Sequence, residues 1–214
     1  MDRYTESDFS AAALITIDTQ RDTLDGQPLE IPGTSSILLN MFRLLSAFRA
    51  LQRPIVHVVR LYKPDGSNVD LCRRSAVERG TLTALAPDTP GVQLAPGLLS
   101  DDRIWLHCSM LLSGGVQVVA GHEVIIYKPR WGAFYQTCLE SHLRGLGVTT
   151  TIFTGCNFPN CPRTSMMEAS ERDFRTVLVR DAVSGFGERG ETEMSKIGVC
   201  VLSTEELLAR LSRV

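Results

Sequence analysis

Several features that would settle a protein's class at once are missing from this chain. Its 22 Lys and Arg are balanced by 24 Asp and Glu, so it has no basic excess for a nucleic-acid surface. No apolar run approaches the roughly 20 residues that a membrane helix needs. The opening stretch MDRYTESDFS is polar, with no apolar signal core. A cytoplasmic protein that binds neither nucleic acid nor membrane is therefore expected. Histidine is scarce: there are four, no two spaced as a metal pair, and none between His57 and His107. The six cysteines include no CxxC pair, and a chain of 214 residues buries enough surface to fold without disulfides. Cys138 and Cys200 fall on apolar positions and are expected in the interior. His57, inside IVHVV, is expected as a satisfied core side chain, with His122 and His142 on the surface.

What the chain does have is an alternation of apolar runs with amphipathic segments, the pattern of a parallel sheet covered on both faces. Strands are predicted over 11–18, 54–60, 123–129, 149–156, 176–185 and 197–203. Ile37, Met41, Leu44, Phe48 and Leu51 recur at helical spacing between the first two, behind the polar entry Thr34 to Ser36. Phe134, Cys138, Leu139, Leu143 and Leu146 mark a second helix that stops at the following glycines. Ser203 and Glu206 stand in capping-box spacing at the start of a last one. Residues 65–80 read as a loop leading into a short helix, and 81–105 have weak periodicity. With no repeat or linker, a single domain over 1–214 is expected. Its class is α/β: three layers, α-β-α, around a mostly parallel, doubly wound sheet of about six strands.

Ligands of such sheets bind beyond the carboxyl ends of the strands. Three chemically capable residues fall there. Asp18 ends ALITID, Lys128 ends EVIIYK, and the fourth strand runs into TGCNFPNCPRTS, which holds Cys156 and Cys161. Pro162 suits the first turn of a helix, placing Cys161 at the N-terminus, where free N–H groups and the helix dipole lower a thiol's pKa. A buried structural cysteine is an equally good reading of Cys161 alone. A solvated strand-end residue is the ordinary reading of Asp18 or Lys128 alone. Their joint occurrence at one sheet edge is what points to a site, and Cys156, on the strand side, is expected to pack.

The segments ALITIDTQ, IIYKPRWGAFYQTCLESHLRGLGVTTTIFTG and TGCNFPNCPRTSMMEASERDFRTVLVRDAVSG resemble the isochorismatase-like cysteine hydrolases, a group that includes N-carbamoylsarcosine amidase and the nicotinamidases. The resemblance runs from about residue 12 to about residue 185. It implies an Asp-Lys-Cys triad at Asp18, Lys128 and Cys161. It also implies a non-proline cis peptide at Cys156–Asn157 and an oxyanion hole from the N–H groups of Asn157 and Cys161. The implied activity is hydrolysis of a small amide or carbamoyl compound through a covalent thioester, in a homodimer or homotetramer. The metal-binding histidines of the nicotinamidase branch have no counterpart in RLYKPDGSNVDLCRR, so neither metal nor cofactor is expected. Asn160 and Pro162, on either side of the cysteine, depart from the family's usual pattern.

Four further residues are candidates for binding the small-molecule substrate. Trp131 and Phe134 could wall the pocket, although Phe134 also reads as helix packing. Arg60 and Arg163 could each pair with a substrate carboxylate. The run of Arg73, Arg74 and Arg79 reads as a solvated or subunit-contact face. Two other functions stay open at this point: vinyl-ether hydrolysis with Asp18 as general acid, and a catalytically silent binding member of the fold.

Overall fold

The computed structural model describes residues 3–213. Strands β1 (Ala12–Ile17), β2 (Ile55–Val59), β3 (Val116–Ala120), β4 (Glu123–Tyr127), β5 (Thr150–Gly155), β6 (Arg175–Val183) and β7 (Cys200–Leu202) form one sheet. Their order is β3-β4-β2-β1-β5-β6-β7. All neighbours are parallel except β3, which runs antiparallel to β4. The sheet thus has seven strands rather than about six. The added strand, VQVVA, lies at an edge with only Gln117 fully buried. A half-exposed edge strand carries no continuous apolar run, which is why the apolar pattern alone passes over it.

The helices are α1 (Leu38–Ala50), α2 (Leu71–Glu78), α3 (Cys108–Leu112), α4 (Leu139–Gly145), α5 (Cys161–Ser170), α6 (Glu188–Ser195) and α7 (Thr204–Leu211). Alternate residues of β1 feed two separate cores. Leu14 packs with Met41, Leu44 and Phe48 of α1 and Leu207 of α7. Ile15 packs with Leu143 of α4, Met166 of α5 and Met194 of α6. Each such side chain, fully buried, contributes about 1.5–3 kcal/mol, so the sheet is clamped from both faces. Helix α7 begins with a complete capping box: Glu206 N donates to Ser203 Oγ (3.2 Å) and Ser203 N to Glu206 Oε2 (2.7 Å). Helix α4 starts only at Leu139; Phe134 precedes it.

His57 is wholly buried. Its ring nitrogens meet Thr16 Oγ1 (2.8 Å) and Glu123 Oε1 (2.9 Å), and burial pushes its pKa down. Glu123 also accepts two bonds from Arg49, at 2.8 and 2.7 Å. Burial alone would raise the Glu123 pKa, but the bonds from Arg49 and His57 outweigh it and hold it at about 2. His142 and Cys138 are half-buried, intermediate between surface and core.

At the end of β5, Gly155 has φ +107°, and a Cβ there would lie 2.2 Å from Ile17 O on β1. Only glycine allows β1 and β5 to approach so closely at the point where the site begins. Gly155→Ala is expected to cost about 3 kcal/mol from overpacking and the unfavourable φ, measured as a lowered denaturant midpoint. A change below about 0.5 kcal/mol would show that the two strands can part without loss.

Candidate active site

The backbone ladder carries four chemical groups to one edge. Asp18 N donates to Val58 O (2.9 Å), Lys128 N to Val59 O (3.0 Å) and Cys156 N to Ile17 O (2.9 Å), continuing the pairing one residue past the strands. Across β4, β2, β1 and β5, the residues at the carboxyl edge are therefore Lys128, Arg60, Asp18 and Cys156. This is where connections turn from one side of β1 to the other, the switch point at which open sheets form crevices.

Strands β4 and β1 have β2 between them and so lie about 10 Å apart. The long side chain of Lys128 spans that gap, and its Nζ reaches Asp18 Oδ2 at 2.8 Å. Lys128 is 0% exposed and Asp18 5%, so this ion pair is shielded from water. Lys128 Nζ also donates to Arg130 O (3.0 Å). Asp18 has φ +49°, a left-handed turn that aspartate tolerates better than most residues. Its carbonyl accepts from Gln20 N (2.9 Å), Thr23 Oγ1 (3.0 Å) and Cys156 Sγ (3.1 Å). Its second carboxylate oxygen, Oδ1, is buried with no hydrogen-bond partner.

Cys161 is the first residue of α5, followed by Pro162. The Cys156–Asn157 peptide is cis. Among the described residues, the N–H groups of Asn157 and Cys161 donate to no acceptor. Burial is the main influence on the Cys161 thiol and, with the Asp18 carboxylate beside it, pushes its pKa up to about 12 against the pull of Lys128 and Arg60. The helix N-terminus was expected to lower this pKa. Removal from water acts in the opposite direction and favours the neutral thiol. Burial also drives the Cys156 thiol upward; that side chain is held by Asp18 O and Thr23 and packs beneath the site.

Both thiols titrate above the unfolded value of 9.0. Above that pH the unfolded chain loses these protons first, so the stability they confer is complete below pH 9.0 and falls as pH rises toward the folded values. Urea midpoints should therefore decline above pH 9, with a shallower slope in Cys161→Ala. Identical slopes in the two proteins would contradict this assignment.

A narrow cavity of about 320 Å³, including its mouth, is lined by Asp18, Cys161, Asn157, Arg60, Tyr62, Arg73 and Trp131, with Leu29, Ile31 and Leu85 supplying apolar wall. Trp131 and Arg60 are thus where the sequence placed them. Arg163 is not: it pairs with Glu193 (2.8 Å) in a separate groove with Phe158 and Gly190. At about 100° per residue, two positions past Cys161 is the far side of the helix. Phe134 does not line the cavity either; it is buried against Phe174, ring centroids 5.7 Å apart. Arg73 lines it too, which corrects its expected place with Arg74 and Arg79 on a solvated or subunit-contact face; so does Tyr62, which the sequence did not single out. Their signal was that they follow the carboxyl end of β2, Tyr62 in the loop and Arg73 on α2 just beyond it, where the run of charge masked it. In that loop Asp70 is taken up by Arg60, and among the described residues no three His, Cys, Asp or Glu converge as a metal ion would require.

The Isochorismatase domain model matches residues 112–206. The chain is 28% identical to a probable inactive nicotinamidase of Arabidopsis thaliana, over 87% of this chain and 89% of that protein. It is also 28% identical to maleamate amidohydrolase of Pseudomonas putida, over 80% and 71%. The crystal structure of an isochorismatase family protein from Desulfovibrio vulgaris superimposes with a TM-score of 0.79, at 28% identity, covering 95% of this chain and 99% of that one. In its matched domain, its relatives and its fold the chain is therefore similar to the isochorismatase-family hydrolases.

Proposed function

We propose that the chain is a cysteine-dependent hydrolase of a small amide or carbamoyl compound. One observation carries this reading. A buried thiol, Cys161, shares a cavity with a carboxylate, Asp18, that is ion-paired on one oxygen and unpartnered on the other. That free oxygen is a proton acceptor for a thiol that does not ionise by itself.

Cys161 Sγ attacks the substrate's carbonyl carbon as its proton passes to Asp18. The carbonyl oxygen becomes an oxyanion, which the N–H groups of Asn157 and Cys161 stabilise. Collapse of the tetrahedral species breaks the C–N bond; the leaving nitrogen takes the proton from Asp18 and departs as ammonia or an amine. The thioester then accepts water, whose proton goes to Asp18 and returns to Sγ as the acid is released. Lys128 holds Asp18 in position and offsets its charge, and Trp131 forms a wall of the pocket.

The test is a screen of small amides and carbamoyl compounds for ammonia release, with rapid acid quench and intact mass. A substrate should leave an acyl adduct on the peptide containing Cys161. Turnover with the adduct on another cysteine, or release of an enol and pyruvate-type product instead of ammonia, would refute the proposal.

A further inference from the structure

The charges around the cavity do not cancel. Asp18 is matched by Lys128 and Asp70 by Arg60, both pairs buried. Arg73 is left over. It reaches the cavity from α2, donates to Tyr62 Oη (2.8 Å) and lies over the Trp131 ring, 4.9 Å from its centroid. Among the described residues no carboxylate forms an ion pair with it. The Arg60 guanidinium lies over the same ring at 5.7 Å. Arg60 is 3% exposed, and its Nη1 is buried with no hydrogen-bond partner. A cationic N–H stripped of water and left unpaired is costly unless a ligand completes it.

We infer that Arg73, together with the unpartnered edge of Arg60, is a specificity determinant that receives a carboxylate, so that the preferred substrate is a monoanion carrying the scissile amide and a carboxylate within a few bonds of each other. This rests on the hydrolase reading above and adds the charge of the substrate to it. Both guanidinium groups thus lie over the one indole ring, at 5.7 and 4.9 Å from its centroid, and a guanidinium can meet a carboxylate through paired N–H donors. Binding the anion restores neutrality around the cavity. Asp70 accepts from Arg60 Nη2 and neutralises its charge, so Arg73 supplies the unbalanced charge that discriminates against neutral amides.

Oxamate and oxamide are matched probes: each carries an amide on a two-carbon frame, one with a carboxylate and one without. Their equilibrium binding is measured calorimetrically on the Cys161→Ser protein, which removes any dependence on the thiol. Oxamate should bind at least tenfold more tightly than oxamide. The preference should vanish in Arg73→Met and largely return in Arg73→Lys. Equal binding of the two probes, or a preference unchanged by Arg73→Met, overturns the inference. In parallel, the intact protein is alkylated with iodoacetate and iodoacetamide, and the ratio of rates at Cys161 is compared with that at exposed Cys72. The ratio should favour iodoacetate tenfold more at Cys161. A ratio at Cys161 equal to that at Cys72 counts against the anion site, whereas loss of the acyl adduct at Cys161 with the oxamate preference intact refutes the nucleophile assignment and leaves the anion site standing.

Discussion

Cys161→Ala should abolish ammonia release, by at least about 10⁴-fold in kcat, because the thiol forms the covalent bond on which both halves of the reaction depend. The same variant should fold, since it removes one sulfur from the end of a helix and leaves the Asp18–Lys128 pair intact. The experiment also separates this chemistry from vinyl-ether hydrolysis, in which Asp18 alone would act as the acid and alanine at position 161 would be tolerated. It bears on the silent alternative too, which a relative named as a probable inactive nicotinamidase keeps in view. A silent protein shows no turnover to lose. Retention of more than a tenth of wild-type turnover in Cys161→Ala would end the cysteine mechanism.

Lys128→Met should be the most destabilising single change at the site. Methionine fills much of the same space but leaves the Asp18 carboxylate buried without a cation. Breaking a buried ion pair from one side costs about 3–5 kcal/mol, or a Tm lower by roughly 10 °C for a chain of this size. Adding Asp18→Asn should restore much of that loss, because the stranded charge is gone, yet the double variant should stay inactive for want of a proton acceptor. A double variant whose loss equals the sum of the two single losses would mean the two residues do not act as a pair.

The strand-end residues were legible because a parallel sheet leaves few places where an acid, a lysine and a thiol can meet. Asp18 and Lys128 stand out as polar ends of apolar runs, and Cys161 through the Pro162 that marks the start of a helix. Trp131 and Arg60 followed from the same edge rule. Arg73 and Tyr62 did not: Arg73, on short helix α2, reads from the sequence as part of a solvated or subunit-contact face, and Tyr62 lies in irregular chain whose path no periodicity describes. Arg163 could have been set aside from the sequence, since helical geometry turns it away from Cys161. The thiol's raised pKa was not legible. The sequence shows a helix N-terminus but not how completely neighbouring elements exclude water from it, and here that exclusion decides the sign. Edge strand β3 was lost for a related reason: half-exposure erases the apolar signature on which strand recognition depends.

The central position of β1 has a consequence for how the protein is made. Ala12 to Ile17 are all buried, and their partner on one side is β5, where Ala12 aligns with Thr150. At ribosomal speeds of about 5–20 residues per second, roughly 10–30 s pass before that partner has been synthesised. For that interval the nascent chain carries an apolar strand with an open edge, the kind of segment that seeds aggregation and that chaperones hold. Because Asp18 directly follows this strand, the carboxylate gains its thiol neighbour only when the last third of the chain has emerged and closed over it.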